Sequence, residues 1–484
     1  MKIDFKSFII NNKYNLLLLL LWLIVVILGI THHEIWRDEA RPILILRNSN
    51  IISTIITDGH PFLWYLLLFP FAKTVFAAEF MQVINVIAVL IGVIFILFKS
   101  QFNNFFKFIL LFSSGMLYYL PVIARNYSLV PPLLFWLAYL YKDRDKKPYQ
   151  YSICLILLSQ THSLMWMFCI VLSVFFIFEL VFKYFKDRKY TKFLNVFIPI
   201  LMQLINFFCM INLYKICLKG NIPDTGLEFN IFDMILNFEL PKLWNLIPNE
   251  ILNINNQFII YVFNILSLVI LLITLRYSRK LFILLSFSYI YFIFIFTKVW
   301  SGGIPMQKIW ILFTIFAFVY WIVNEGFKTK LLGIFMCLYF TILFIFPFPY
   351  EIIKNDINNN FSTAKVVANF LINNPDTLLI NSDYMLNDSI IYYIQNWEYK
   401  FNKKYPFKNK AFTEDDNYDI SPIDAVEQYI KNNNLNIKYL IIEAVNKNIK
   451  EYNSNYRLLF RDKYDNWEQY INDNWEQYII YERK

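Results

Sequence analysis

The sequence predicts an α-helical multispanning membrane protein with a small α/β domain at its C-terminal end, and three observations predict it. The chain of 484 residues is 58% hydrophobic and 20% aromatic. Charge-free runs such as Leu16 to Ile30 and Phe258 to Leu275 recur along it, more often than any soluble core requires. Near residue 350 the composition changes, and from Glu351 onward the chain is polar and rich in Asn, Asp and Lys. The domains expected are therefore 1–350, membrane-spanning with outer loops at 32–79 and 215–257, and 351–484, an outward-facing soluble domain.

The net charge of +9 would suggest nucleic acid in a soluble protein. Here the basic residues sit in short clusters between apolar runs, which is how membrane topology is encoded, so no nucleic-acid partner is expected. The cysteines Cys154, Cys169, Cys209, Cys217 and Cys337 lie in or beside apolar segments without metal-ligand spacing. They read as small apolar side chains.

The first apolar segment has the basic flanks Lys2, Lys6 and Lys13, like a signal peptide. It lacks a small-x-small cleavage site before Thr31-His32-His33, so it is expected to stay as the first span. Further runs of spanning length lie near 80–98, 106–122, 127–141, 150–162, 163–182, 194–214, 258–275, 281–298, 307–324 and 331–348. The run 61–78 is ambiguous, since it contains Pro70 and Lys73 and is dense in aromatics.

The excess of Lys and Arg on cytoplasmic loops decides its placement. If 61–78 does not cross, the strong basic clusters share one side. These are Lys2/Lys6/Lys13, Lys99/Lys107, the run Lys142 to Lys147, Lys183 through Lys192, Arg276/Arg279/Lys280 and Lys328/Lys330. The run 61–78 is then an interfacial or re-entrant helix on the outer face. About eleven spans result, with the N-terminus inside and the C-terminal domain outside.

The C-terminal region carries strand-like runs at Thr377 to Ile380 and Lys438 to Ile442. Helical patterns precede them at Ser362 to Ile372 and Asp424 to Asn432, which suggests an α/β domain. The heptapeptide Asp465 to Ile471 recurs as Asp473 to Ile479. Two copies cannot make a solenoid, and a local duplication lengthening a terminal strand or hairpin is the expected reading.

Ionisable clusters beside a span are functional candidates, because charged groups are costly in hydrocarbon. Asp38 and Glu39 come first. Adjacent carboxylates at a helix start point in different directions, so one can accept a hydroxyl proton while its neighbour orients a basic group or a metal. The bland reading is a solvated pair flanked by Arg37 and Arg41. Asp58 precedes His60-Pro61, where it could lie near substrate or metal or else cap a helix. His60 and His162 could approach substrate or metal; His162 lies in a tight turn with Gln160 and Thr161. Arg125 suits bidentate phosphate binding, or else anchors the interface. Lys298 and Lys308 bracket Trp300 to Pro305 on the outer face against the charge rule, which favours an anionic ligand such as a lipid phosphate.

In order, the outward Asp38-Glu39-Ala40, His60-Pro61-Phe62, Arg125-Asn126-Tyr127 and Thr161-His162 resemble the GT-C membrane glycosyltransferases. They are most similar to the group with the protein O-mannosyltransferases and the lipid A aminoarabinose transferases. The resemblance covers roughly 1–350 and implies a GT-C-like helical fold. It implies inverting transfer of a hexosyl or pentosyl group from a polyprenyl-phosphate donor to a lipid, glycan or protein acceptor outside the membrane. Asp38 would be the base and Glu39 its support, with Arg125, Tyr127, Lys298 and Lys308 toward the donor phosphate; a divalent metal ion is compatible and unassigned. The cell envelope, in an inner or plasma membrane, is the implied location.

Three other readings stand beside this one: a transporter or flippase of lipid-linked sugars, a membrane glycan polymerase or ligase, and a scaffold for the outer domain. A transporter would show repeated halves and Gly/Pro-broken helices, neither of which is evident in the sequence.

Overall fold

The computed structural model describes residues 10–49, 61–186, 193–221, 257–295, 306–327, 329–345, 349–358, 364–381, 388–401, 403–404, 409–411, 430–432, 435–443, 456–461 and 478–483. The chain divides into two compact units. The larger comprises Met1–Thr31, Asn50–Leu67 and Met81–Asn355, and the smaller His32–Ser49, Leu68–Phe80 and Asp356–Lys484.

The larger unit is a helical membrane bundle. In chain order its helices are α1 (Lys13–His32), α3 (Leu63–Leu68), α4 (Ala77–Phe98), α5 (Asn104–Leu111), α6 (Val130–Tyr141), α7 (Pro148–Ser159) and α8 (Trp166–Lys186), with α2 (Arg37–Asn48) falling in the smaller unit. There follow α9 (Leu194–Asn221), α10 (Gln257–Tyr277), α11 (Arg279–Phe294), α12 (Met306–Phe327) and α13 (Lys330–Ile345). Each apolar run expected to span is helical over at least part of its length. Among the described residues, five helical stretches are long and apolar enough to cross a membrane: Ile10–His32, Ala77–Phe98, Ser163–Lys186, Leu194–Leu213 and Ile309–Phe327. Lipid-side residues such as Leu20, Ile24 and Ile27 of α1 are exposed, as apolar side chains can be where hydrocarbon replaces water.

Two expected elements differ. The run 61–78 is not one helix. Only Leu63–Leu68 is helical, and turns occupy the residues up to Ala77. Pro70 explains the stop, because its ring disfavours the helical conformation of the residue before it and removes an N–H donor. The carbonyls of Ala72, Thr74 and Val75 are taken instead by side chains, Arg47 for the first two and Asn396 for the third.

The run 106–122 is likewise broken, so a discontinuous helix is present although the sequence pattern hid it. After α5 come a π-turn at Gly115–Tyr119 and non-helical backbone as far as Arg125. Broken backbone survives at membrane depth only where its polar groups find partners. Trp22 Nε1 donates to Met116 O at 2.8 Å, and Asn85 Nδ2 donates to Leu120 O and Pro121 O at 2.9 and 2.8 Å. The chain then forms a 3₁₀ turn at Asn126–Leu129 and enters α6, whose opening Pro131 and Pro132 stand where a helix needs no N–H. Helix α9 continues to Asn221, into the expected loop 215–257.

The smaller unit holds α2 (Arg37–Asn48), the turns before α4 and the chain from Asp356. Its other helices are the end of α14 (Pro349–Asn358), α15 (Ala364–Asn373) and α16 (Asp388–Phe401). Its strands are β1 (Thr377–Asn381), β2 (Asn409–Ala411), β3 (Tyr439–Glu443), β4 (Tyr456–Arg461) and β5 (Tyr478–Arg483). The sheet order is β2-β1-β3-β5-β4. β1 pairs in parallel with β2 and β3, while β5 lies antiparallel between β3 and β4. Parallel neighbours need crossovers, and α16 lies on the connection from β1 to β2. Ala364, Val367, Ala368 and Leu371 of α15 pack with Ile390 and Ile394 of α16 and Ile441 of β3 as the core. The expected helix at 424–432 and the heptapeptide repeat lie outside the described residues, apart from Ile430 to Asn432 and the Tyr478 and Ile479 that open β5.

Candidate functional site

The smaller unit carries the acidic pair. Helix α2 begins after Trp36, whose backbone is extended at φ −110°, and Asp38 and Glu39 fall in its first turn. Carboxylates there meet the positive end of the helix dipole. The two side chains have opposite surroundings. Glu39 is fully buried, and its Oε2 accepts from the Trp36 backbone N–H at 3.3 Å and bonds His33 Nε2 at 2.9 Å. Asp38 keeps 21% of its side chain exposed, with Arg37 Nε donating to its Oδ1 at 3.2 Å.

The other ring nitrogen of His33, Nδ1, lies 3.1 Å from Asp356 Oδ2 on α14. A ring with a carboxyl group at each nitrogen can donate from both only as imidazolium. Burial opposes the charge, yet the carboxylates of Glu39 and Asp356 outweigh it and push the His33 pKa up to about 10. Close by, Lys365 Nζ lies 3.5 Å from Glu34 Oε1, and burial raises the pKa of Glu34 against that lysine.

Arg47, in the last turn of α2, fixes the far end of the helix. Its Nε donates to Ala72 O at 2.9 Å, and its Nη2 donates to Thr74 O and Asn396 Oδ1 at 3.0 and 3.1 Å. The rings of Tyr392 and Tyr399 lie 5.1 and 4.9 Å from its guanidinium carbon. The helix that carries Asp38 is thus held by buried cations, His33 at its start and Arg47 at its end.

The larger unit carries the other described candidates. Arg125 is half-buried, its guanidinium carbon 4.9 Å from the centre of the Tyr127 ring. That ring in turn lies 4.8 Å from His162. The turn bearing His162 is fixed from several sides. Asn126 Nδ2 donates to Thr161 O at 2.9 Å, the Leu63 N–H to Gln160 O at 3.2 Å, and Tyr291 to Ser163 O at 3.2 Å. His162 Nδ1 accepts from the Leu164 N–H at 3.1 Å, so the hydrogen-bond pattern assigns the neutral ring's proton to Nε2. A planar guanidinium such as that of Arg125 matches the geometry of a phosphate.

Arg125, Tyr127 and His162 are therefore brought together within the larger unit, as Asp38 and Glu39 are within the smaller. Asp58, His60 and Lys298 lie outside the described residues, and Lys308 belongs to the first turn of α12. Among the described residues, no group of three His, Cys, Asp or Glu side chains converges to hold a metal ion. His33 and Asp356 were missed in the sequence. The signal was the His32-His33-Glu34 run directly after the first span, with an acid placed just beyond the change of composition.

The fold defines a helical, membrane-embedded protein. No protein-family model matches the chain, and no curated protein matches it in sequence.

Proposed function

We propose that the protein is a GT-C-type glycosyltransferase of about eleven spans. It moves a hexosyl or pentosyl group from a polyprenyl-phosphate donor to an acceptor on the outer face of an inner or plasma membrane, with inversion. The observation that carries this reading is the division of labour in the acidic pair. Glu39 is buried and bonded to His33 and the helix start, while Asp38 remains partly exposed, where its carboxyl group could accept an acceptor proton. Glu39 is accordingly a support, and Asp38 the base. A phosphate leaving group requires positive charge where negative charge develops. Arg125, with Tyr127 and His162 behind it, supplies that charge in this reading, and Lys298 and Lys308 add to it.

Replacing Arg125 by alanine is expected to weaken binding of a polyprenyl-phosphate sugar by about 10- to 100-fold, the loss typical of a charge-assisted hydrogen bond, with little change in thermal stability. Binding by the purified variant at the wild-type level would remove Arg125 from the donor site. The orientation is tested separately. Single cysteines at Lys99 and Asp145 are expected to react with a thiol reagent only after the membrane is opened, as cytoplasmic positions do. Labelling of either in intact cells would overturn the charge-sorted topology.

A transporter of lipid-linked sugars is the second reading, and the break at Gly115–Tyr119 favours it, since transporters build substrate sites at discontinuous helices. The two readings part on turnover, because a carrier forms no glycosidic bond.

A further inference from the structure

We propose that His33 is a positioning residue, a charged clamp that holds the Asp38-bearing helix by bridging Glu39 in its first turn to Asp356 on α14. The part of this that concerns Asp38 as a base rests on the glycosyltransferase reading; the clamp itself does not.

The geometry supplies the argument. His33 Nε2 lies 2.9 Å from Glu39 Oε2, and His33 Nδ1 lies 3.1 Å from Asp356 Oδ2. The side chains of His33 and Glu39 are 0% exposed and that of Asp356 is 1% exposed. Two buried carboxylates on separate elements need a cation between them, and removing it leaves uncompensated buried charge. Glu39 directly follows Asp38 in the chain, so whatever orients Glu39 sets the first turn of α2. Among the described residues, Glu34, paired with Lys365, and Tyr393, whose proton is held tightly by burial and by the nearby Glu34 and Glu39, also lie near the cluster.

The sign of the pH effect follows. His33 has a folded pKa raised from 6.5 to about 10. Its contribution to stability is fully present below the ordinary histidine pKa and is lost as pH rises through the folded value. The clamp is thus charged throughout the neutral range and opens only in alkali. Asp356→Asn removes one of the two charges that retain the proton, so the opening must move to lower pH.

The test uses the full chain with its five native cysteines replaced and a nitroxide attached at Arg41→Cys on α2. In this background the label is expected to be immobile from pH 7 to 9 and to loosen above that range. His33→Phe, which keeps a ring without donors, is expected to loosen it at every pH. Asp356→Asn is expected to lower the loosening midpoint by at least one pH unit. If the transferase reading holds, kcat for sugar transfer falls along the same midpoint while KM is unchanged. An immobile label in His33→Phe, or an unmoved midpoint in Asp356→Asn, overturns the clamp. Where His33→Phe fails to fold, the Asp356→Asn midpoint decides. Loosening as expected without any transfer by the parent protein leaves the clamp standing and removes the transferase reading.

Discussion

Asp38→Asn is expected to lower sugar transfer by about 10²- to 10⁴-fold while expression, thermal stability and donor binding stay near wild type. An amide has the shape of the carboxylate but cannot take a proton from an acceptor hydroxyl. The Asp38 side chain is partly exposed, and a partly exposed ion pair such as that with Arg37 contributes about 0–1 kcal/mol. Glu39→Gln is expected to behave differently. Its carboxylate is fully buried against an imidazolium, and breaking a buried pair costs about 3–5 kcal/mol. That variant should therefore lose stability before it loses chemistry. Steady-state transfer with purified protein, set beside thermal unfolding of both variants, separates the two roles. Wild-type transfer by Asp38→Asn would remove Asp38 as the base while leaving the protein a transferase; absence of transfer by the wild type would move the transporter reading ahead.

The contrast between those neighbours shows which parts of the site were legible in the sequence. Adjacent acids at a helix start must diverge, so different roles for Asp38 and Glu39 followed from helical geometry alone. Which of them is buried did not follow, because burial depends on His33 and Asp356, and Asp356 is remote in sequence. The grouping of Arg125 and Tyr127 was local and readable, whereas the ring contact from Tyr127 to His162 needed the packing of two turns. The helices themselves were legible, since long charge-free runs have few alternatives in a membrane. The strands β1 and β3 were visible in their apolar runs, but β2 is too short to announce itself. The misreading of 61–78 as one helix came from weighing its apolar character above Pro70. Its stability as a series of turns depends on Arg47 and Asn396, partners that no local pattern could reveal.

The break after α5 was hidden for a related reason, and it carries the largest stability effect expected of any glycine described. Gly115→Ala should lower the thermal midpoint of the purified protein by about 1–5 °C. A Cβ at Gly115 would sit 1.8 Å from Trp310 Cδ2 and 2.2 Å from Cε3. The obstacle is the body of a buried indole, not the tip of a flexible chain. Trp310 is itself packed edge-on to Phe313 at 5.1 Å and cannot readily withdraw. The alternative is to move the backbone of the π-turn, whose Leu120 N–H donates to Gly115 O at 2.9 Å. Moving it disturbs the bonds from Trp22 and Asn85 that satisfy the broken segment, in a place where water cannot substitute. Overpacking alone costs about 1–3 kcal/mol, and lost buried hydrogen bonds add to that. The control is Gly326→Ala. No heavy atom lies within 4 Å of a Cβ there, so this variant should unfold at or slightly above the wild-type temperature. In the transferase reading, Gly115→Ala should also weaken binding of a polyprenyl-phosphate sugar, because the chain leaves this break to enter the turn of Arg125 and Tyr127. Equal midpoints for the two alanine variants would show that the indole does not press on Gly115, and that the break is held by its hydrogen bonds alone.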